Sequence, residues 1–390
     1  MPHDREFDLV LLGATGFTGG LTAEYLARHA PEDLRWAIAG RNLARVDIVR
    51  RDLAARIDER FETLPMIEAD SFDYESLAAM ALRSKVVIST VGPYINYGEN
   101  LVKACAQTGT DYADLTGEPE FVDTMYLRYH DVAVHHGARL VHCCGFDSVP
   151  HDLGVLFTVG QLPEGAPISI DGVVHSNGTF SAGTFHSAIT GFSRAKQTLS
   201  AAKARKAKEI RPTDRRARSV SGRIHKVAQG WIVPLPTIDP MVVARSARAL
   251  ARYGPDFTYS HYARFTHLPT ALGAGAGVGA AIGLAQIKPV KEAMLRRFNP
   301  GSGPSQSRRA KSTFDVTFTG RGGAKTVRTR VSGGDPGYDE TAKMLAESGL
   351  CLALDPLPVL AGQLTPAVAM GQHLIDRLVQ ADMRFEVLSS

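Results

Sequence analysis

The sequence has few cysteines and little net charge. The first shortage argues against disulfides and cysteine-bound metal, and the second against nucleic-acid binding. Its four cysteines show no metal-ligand spacing, and we do not expect the adjacent Cys143 and Cys144 to form a disulfide. We therefore expect a protein of a reducing compartment that holds no metal. The net charge of +4 is too small to indicate nucleic-acid binding without a concentrated basic patch.

The first residues, MPHDREFD, lack the apolar core of a secretory signal, so we expect a cytoplasmic protein. Long apolar runs are also missing. The uncharged stretch Ala271–Ile287 is shorter than the ~20 residues of a spanning helix and consists mostly of glycine and alanine. Its glycines at four-residue spacing favour a buried or dimer-packing helix. The basic tail that follows, up to Phe298, favours instead a helix at a lipid surface.

A glycine-rich turn follows the first apolar run and is typical of a dinucleotide site. Residues Phe7 to Leu12 indicate a buried strand, and a helical pattern comes after the glycines. Gly13 permits a tight turn, Gly16 allows a pyrophosphate to approach, and Gly19 allows the helix to pack closely on the strand. The helix N-terminus then attracts phosphate. The predicted cofactor contacts in this turn are Gly13, Ala14, Thr15, Gly16, Phe17 and Thr18.

The end of the second predicted strand indicates which dinucleotide binds. About 20 residues beyond the glycines, an Asp or Glu would bind the ribose 2′-hydroxyl of NAD. The sequence has Gly40, Arg41 and Asn42 there, and no carboxylate. A guanidinium pairs with the 2′-phosphate of NADP, so we predict NADPH as the cofactor, with Arg41 and Asn42 in contact with it. The alternative is a solvated surface arginine.

Four further strands alternate with helices, which predicts an α/β fold with a Rossmann-type, doubly wound parallel sheet in residues 1–151. Ligands of such sheets lie outside the carboxyl ends of the strands. The predicted contacts at these ends are Asp70 beside the adenine and, near the nicotinamide, Thr90, Val91, Gly92 and Pro93.

Apolar and polar residues alternate in strand-like segments of residues 152–340. We predict a second α+β domain there, for substrate binding or dimerisation, with a mixed or antiparallel sheet and a hairpin at residues 321–323. Residues 341–390 are predicted to form a helical segment that packs back on the first domain. Thr365 and Pro366 mark a helix start within it.

Basic residues greatly outnumber acidic ones between Arg194 and Lys226. A solvated helix and loop is one interpretation; the others are a surface for an acidic carrier domain or for an anionic membrane. Nucleic acid is not predicted, because no aromatic residues are interleaved. The densest part of the segment contains Lys203, Arg205, Lys206, Lys208, Arg211, Arg215, Arg216 and Arg218.

The chain resembles the saccharopine dehydrogenase-like oxidoreductases and, among them, the actinobacterial trans-acting enoyl reductases. The resemblance spans nearly the whole chain and implies an NADPH-dependent enzyme. Such an enzyme reduces a carbon–carbon double bond of a polyketide-derived lipid intermediate, an enoyl thioester made by a synthase that lacks its own reductase. The motifs that carry the resemblance are GATGFTG, AIAGRN, YGENLVKACAQTGTDYADLTGE, HCCGFDSVPHDLG, GTFSAGTFHSA, GGDPGYDETAKMLAESGLCLA and LTPAVAMG.

This chemistry needs an oxyanion stabiliser and a proton donor beside the nicotinamide. We predict Tyr94, in the turn after the fourth strand, as the first candidate and Asp147, after the sixth strand, as the second, with His151 near it. Tyr94 could instead pack under the nicotinamide, and Asp147 and His151 could instead shape the domain junction. Cys143 and Cys144 are interpreted as small core residues.

Two other functions stay open from the sequence. One is the reduction of an imine or ketone, and the other is a non-catalytic scaffold that binds NADPH at a lipid surface. The polar groups after the fourth and sixth strands favour an enzyme. Its expected partners are an enoyl thioester, carried on an acyl carrier domain or free, a lipid surface and a second copy of the chain.

Overall fold

The computed structural model describes residues 5–178, 182–296 and 303–389. Residues 179–181 of the predicted small-residue motif and residues 297 and 298 of the basic tail lie outside this part. The strands are β1 (Phe7–Leu12), β2 (Trp36–Gly40), β3 (Met66–Glu68), β4 (Ser84–Ser89), β5 (Asp111–Asp114), β6 (Arg139–Val141), β7 (Ile168–Ser176), β8 (Arg216–Ser219), β9 (His225–Val227), β10 (Gly230–Pro234), β11 (Asp256–Phe265), β12 (Phe314–Gly322), β13 (Lys325–Gly333), β14 (Gly362–Leu364) and β15 (Arg384–Ser389).

The helices cover the faces of the sheets and connect the strands. They are α1 (Phe17–His29), α2 (Leu43–Arg56), α3 (Tyr74–Leu82), α4 (Tyr94–Tyr97), α5 (Glu99–Thr108), α6 (Pro119–His136), α7 (Val149–Gly160), α8 (Ala182–Ser193), α9 (Ala195–Lys208), α10 (Asp239–Ala249), α11 (Leu268–Ala285), α12 (Lys288–Arg296), α13 (Gln306–Arg309), α14 (Asp339–Leu354), α15 (Pro366–Ala369) and α16 (Gly371–Gln380). Short 3₁₀ helices occupy Glu59–Thr63 and Ala251–Tyr253.

The first sheet is parallel throughout, as predicted. Its seven strands run in the order β14, β6, β5, β4, β1, β2, β3. All six residues of β1 are buried, because helices cover both faces of such a sheet. The order places the carboxyl ends of β1, β4, β5 and β6 side by side, at the edge where a ligand is expected.

The second sheet is mixed, which confirms the predicted α+β character of this part. Its main path is β15, β13, β12, β7, β11, β10, β9, and β8 pairs with β11. The pairs of β11 with β7 and with β8 are parallel, and the others are antiparallel. The predicted hairpin joins β12 to β13 through Gly323, whose φ of 58° suits glycine.

Helix α7 joins the two sheets. It starts directly after the loop that follows β6, and it packs on β12 and β13. At Gly154 an added Cβ would lie 2.4 Å from Cε2 of Phe318, so only glycine permits this close packing. One continuous cluster of buried apolar side chains extends from Leu9 in β1 to Phe318 in β12. The loops at the carboxyl edge of the first sheet are therefore held against the second sheet.

Residues 341–390 contain two strands besides the predicted helices. β14 extends the first sheet beside β6, while β15 pairs with β13 of the second sheet. Thr365 caps a helix as predicted, because its hydroxyl accepts the N–H of Val368 at 3.4 Å. The helix stops after one turn and restarts at Gly371, which has a φ of 49°. The segment thus ties the two sheets together.

Helix α11 contains most of the stretch Ala271–Ile287, and it lies on the surface. Its length and mean hydropathy of 1.5 would allow it to cross a membrane, although one such helix is only a weak indication of a span. Only 12% of it is buried, and Leu272 and Leu284 are about half exposed. The alternative of a helix buried inside this chain is therefore wrong.

Candidate active site

The turn between β1 and α1 has the geometry of a phosphate cradle. Gly13 has a φ of 95°, in the region that favours glycine. A Cβ at Gly19 would lie 2.0 Å from the carbonyl oxygen of Gly13, so the helix can approach the turn only without one. Helix α1 begins at Phe17, and its N-cap, Gly16, has no side chain to bond the first N–H groups. These groups are open to an anion.

Gly16 has no need to be glycine for the sake of the protein alone. Its φ of −80° suits any residue. A Cβ there would meet only the carbonyl oxygen of Gly13 among the described residues, at an ordinary contact distance of 3.5 Å. The space over Gly16 is therefore open, as expected where a pyrophosphate approaches the backbone. This open position fits a dinucleotide.

The other predicted residues of the turn have mixed surroundings. Ala14 is buried, Thr15 is exposed, and Phe17 and Thr18 are half-buried. The hydroxyl of Thr90 donates to the carbonyl of Gly13 at 3.1 Å, and a Cβ on Gly13 would lie 2.8 Å from Cγ2 of Val91. The loop after β4, which continues through Gly92 and Pro93, is thus fixed against the glycine turn. It borders the cradle, and its position beside the nicotinamide stays a prediction.

Arg41 stands at the end of β2 with an exposed side chain. No hydrogen bond or ion pair of its guanidinium is present in the described part of the chain. Asn42 has a structural use, because its side-chain oxygen accepts the N–H of Arg45 at 3.1 Å and caps α2. Asp70 follows β3, and its carboxylate accepts the N–H of Phe72 at 3.0 Å. The end of β2 therefore offers an uncompensated cation to a 2′-phosphate.

Tyr94 is buried, and its hydroxyl is already bonded within the protein. It donates to the carbonyl of Ser89 at 2.8 Å and accepts the N–H of Leu115 at 3.1 Å. Burial, together with the nearby charge of Asp114, raises the pKa of the phenol well above its ordinary value. These contacts favour the packing alternative for Tyr94 over the predicted proton donor.

Glu118 holds the same loop from the other side. Its carboxylate accepts the N–H groups of Tyr94 and Ile95, each at 2.9 Å, and the hydroxyl of Ser187 in α8 at 2.8 Å. Its place directly after the fifth strand was visible in the sequence, but its partners were not. Glu118 therefore positions the loop after β4 relative to the second part of the molecule.

The carboxyl of Asp147 has no such partners. It is half-buried in the loop after β6, and a Cβ on Gly117 would approach its Oδ2 to 3.2 Å. Within the described ranges no hydrogen bond or ion pair engages this carboxyl. Burial and then the charge of Asp239 raise the pKa of Asp147 to about 7, although His151 opposes this effect. Such a carboxyl can hold a proton near neutral pH and release it.

His151 in α7, Asp239 in α10 and His261 in β11 form a buried network, and the charges of Asp239 and His151 act on the carboxyl of Asp147. Nδ1 of His151 lies 3.1 Å from Oδ1 of Asp239, and Nε2 of His261 lies 3.5 Å from Oδ2. Burial by itself lowers the pKa of an imidazolium, but Asp239 raises that of His151 above its ordinary value. Burial keeps the pKa of His261 at about 4. Of the two imidazoles, His151 is thus the one that carries the positive charge paired with the carboxylate of Asp239.

Sequence reasoning missed Asp239 and His261, because no local motif joins them to His151. Their contacts continue outward, since the hydroxyl of Tyr259 lies 2.9 Å from Nδ1 of His261 and that of Thr237 donates to Asp239. The ligand atoms of the His–Asp–His set lie within 4.8 Å of one another, so this set could hold a metal ion. However, His151 and Asp239 contact each other directly as an ion pair, which is what we expect where a proton, and not a metal ion, lies between the two groups.

The residues that directly follow β6 are buried and lead into the loop that carries Asp147. Cys143 and Cys144 are buried, and burial raises the pKa of both thiols, as expected for core residues. Cys143 has a φ of 66° and donates its N–H to Asp114 at 3.2 Å. Asp114 also lies 2.6 Å from Nδ1 of His142. This second buried pair, which sequence reasoning did not identify, braces the loop that carries Asp147.

Comparison with known proteins agrees with this geometry. The profile of the saccharopine dehydrogenase NADP-binding domain matches residues 9–141. A Mycobacterium tuberculosis H37Rv protein with the provisional name trans-acting enoyl reductase Rv2449c is 40% identical, over 98% of this chain and 97% of its own. The trans-acting enoyl reductase of Mycobacterium leprae is 36% identical and is covered to 97%, as is this chain.

A solved structure has the same fold. Apo saccharopine dehydrogenase (L-Glu forming) from Saccharomyces cerevisiae superposes with a TM-score of 0.56, at 13% identity, over 98% of this chain and 99% of its own. At this identity the likeness concerns the fold alone. It confirms the predicted combination of a Rossmann-type parallel sheet and a second, mixed sheet.

Proposed function

Because the chain belongs to the saccharopine dehydrogenase-like family, in its trans-acting enoyl reductase branch, we propose that it is an NADPH-dependent enoyl reductase. The substrate would be an enoyl thioester of a polyketide-derived lipid intermediate, and its carbon–carbon double bond would be reduced. The NADP-binding domain alone would indicate only a dehydrogenase of this family. The similarity to the mycobacterial reductases covers the full length and therefore supports enoyl reduction.

The described residues fit the cofactor at three places. The open backbone at Gly16 and the N-terminus of α1 would hold the pyrophosphate, and Arg41 would pair with the 2′-phosphate. The loop after β4, which starts at Thr90, would border the nicotinamide. When bound, NADPH supplies the hydride for the β-carbon of the enoyl group.

The observation that carries the proposal is the carboxyl of Asp147, which lies at the same sheet edge as the glycine turn and has no hydrogen-bond or ion-pair partner among the described residues. Its raised pKa keeps a share of it protonated at neutral pH. In that form Asp147 would donate the proton that the α-carbon needs. His151, paired with Asp239, would act as a positioning group, because its positive charge offsets the negative charge of Asp239 beside Asp147.

The test follows the loss of NADPH absorbance with three classes of acceptor: long-chain enoyl thioesters, ketones and imines. Turnover confined to enoyl thioesters is the expected result. Turnover confined to ketones or imines would support the alternative of a saccharopine dehydrogenase-type reaction. Tight NADPH binding without turnover on any acceptor would leave the non-catalytic scaffold. Asp147→Asn serves as the control that separates catalysed from background oxidation.

We also propose that α11 and α12 contact an anionic lipid surface. The half-exposed Leu272 and Leu284 are followed by Lys288, which is exposed as well, and such a sequence of apolar and basic residues suits a membrane interface. Flotation with anionic vesicles, but not with neutral ones, is the expected result. Self-association without vesicle binding would support the homodimer alternative.

A further inference from the structure

A surface cavity of about 380 Å³ lies between the end of α9 and the last turns of α10, and we call it the arginine pocket. Its lining includes neither the glycine turn nor Asp147, and nothing in the proposed chemistry uses it. Half of its eight lining residues are arginines, and one is an acid. The charged residues of the pocket are Glu209, Arg211, Arg215, Arg245 and Arg248.

Two of these guanidinium groups are fixed by the fold. Arg245 is only 8% exposed and lies over the ring of Tyr126, with 5.4 Å from its Cζ to the ring centroid. Arg248 donates from Nη2 to the carbonyl of Ala217 at 3.2 Å. The sequence interpretation of this basic segment as a solvated helix and loop also fails at Arg205, which is 2% exposed. The pocket is therefore a built structure and not a group of mobile surface side chains.

The acids around the arginine pocket do not balance its positive charge. The carboxylate of Glu209 lies 2.7 Å from Arg205, but 3.6 Å from Arg245 and 3.9 Å from Arg248. Burial, and next the charge of Arg205, lowers the pKa of Arg245. In the described part of the chain, the buried Nε of Arg215 has no hydrogen-bond partner, although Oδ1 of the exposed Asp214 lies 3.7 Å from it. Arg245 and Arg248 are thus paired with Glu209 only at long distance, and the arginines of this region outnumber its acids Asp123, Glu209 and Asp214, so positive charge remains for an anion.

Guanidinium groups bind phosphate through paired, planar hydrogen bonds, and a group of them selects phosphate over a single carboxylate. Helix α10 connects the arginine pocket with the active site, since its first residue is Asp239 and its last turns carry Arg245 and Arg248. At ~1.5 Å per residue, the pocket begins roughly 9 Å along this helix from Asp239. A thioester carrier that bears a phosphate could extend between the two.

We propose that the arginine pocket binds the phosphate ester of the group that presents the thioester. This inference rests on the proposed function. The phosphate could belong to coenzyme A or to the phosphopantetheine arm of a carrier domain, which share the same chemistry. The pocket would fix the distal end of the carrier, while Asp147 lies near the reacting end.

Calorimetry on the full chain saturated with NADP⁺ tests the proposal, because the cofactor site is then closed to other phosphates. The probes are 4′-phosphopantetheine, coenzyme A and pantetheine. We expect the two phosphate-bearing probes to bind and pantetheine to bind at least tenfold more weakly. Binding of coenzyme A without phosphopantetheine would assign the nucleotide phosphates as the ligand, and binding of both would assign the arm.

Arg248→Ala should weaken phosphopantetheine binding at least tenfold, and Arg211→Ala, at an exposed position, serves if the first variant does not fold. Arg216→Ala is the matched control, because it removes an exposed arginine of the same segment outside the pocket. Equal binding of pantetheine and phosphopantetheine, or equal losses in the control, would overturn the proposal.

Failure of this proposal is distinguishable from failure of the proposed function. Reduction of a phosphate-free enoyl thioester by the unmodified protein, without phosphopantetheine binding, overturns the arginine pocket alone. Phosphopantetheine binding without turnover on any thioester supports the pocket and overturns the reductase alone.

Discussion

Two loops at the same edge of the first sheet are built in opposite ways. The glycine turn after β1 has few side chains and therefore exposes backbone N–H groups. It is formed by residues that are adjacent in sequence. The loop after β6 carries Asp147, whose pKa depends on burial and on the charges of Asp239 in α10 and His151 in α7. A cofactor site can thus be local, whereas a carboxyl with a raised pKa needs burial and charges that distant residues supply.

The largest effect should come from the local loop. In Gly19→Ala the new Cβ would meet the carbonyl oxygen of Gly13 at 2.0 Å, and backbone atoms cannot yield as a flexible side chain does. We expect a loss of about 3 kcal/mol in the free energy of unfolding, with loss of NADPH binding. Thermal unfolding and fluorescence titration with NADPH measure both.

Gly16→Ala is the matched control for this variant. Its Cβ has space in the protein, so stability should stay near that of the unmodified protein while NADPH affinity falls. If Gly16→Ala bound NADPH normally, the pyrophosphate would not pass over this residue.

Asp147→Asn tests the distant loop. It removes the ionisable proton without changing the shape of the side chain, so turnover should fall about 100-fold with little change in NADPH affinity. In the proposed mechanism the protonated carboxyl is the active form, and its pKa is about 7, so turnover of the unmodified protein should be highest below pH 7. It should fall as the pH rises through that value.

The exposed Asp376→Asn on α16 is the control for the same chemical change. The pH dependence near 7 should persist in this control and disappear in Asp147→Asn. A profile that is the same in both variants would assign the titration to another group.

Arg41→Ala tests the predicted contact with the 2′-phosphate of the cofactor. The variant loses charge-assisted hydrogen bonds to the 2′-phosphate, so NADPH affinity should fall about tenfold or more while NADH affinity changes little. Titrations with both cofactors measure the ratio, and the exposed Arg60→Ala near the opposite edge of the sheet is the control. Equal losses for the two cofactors would contradict the assignment of the 2′-phosphate to Arg41.

Tyr94→Phe should have the smallest effect. It removes a hydroxyl that bonds Ser89 and Leu115, so the free energy of unfolding should fall by about 1 kcal/mol while turnover stays near that of the unmodified enzyme. Unfolding and steady-state rates are measured on the same preparation. Lowered turnover at unchanged stability would restore Tyr94 as the proton donor.

Sequence reasoning identified Asp147 at a strand end but ranked it below Tyr94. The ranking rested on position along the strands, which placed both side chains at the carboxyl edge of the sheet. Position along a strand does not reveal whether a hydroxyl is already bonded, as that of Tyr94 is. Nor does it reveal whether a carboxyl lacks a partner, as that of Asp147 does among the residues that the structure describes. The exposure of α11 was likewise undecided, because its composition suits both a buried and a surface helix.

The sequence alone determined the parallel sheet, the glycine turn and the cation at Arg41, because each depends on residue types at short spacing along the chain. Only the tertiary structure decided that the carboxyl of Asp147 has no partner in the described part of the chain, and which charges act on it. It also decided that Arg211 and Arg245, far apart in the chain, share one pocket. Burial and electrostatic environment depend on all nearby atoms, and those near Asp147 include residues remote from it in sequence, such as Gly117 and Asp239.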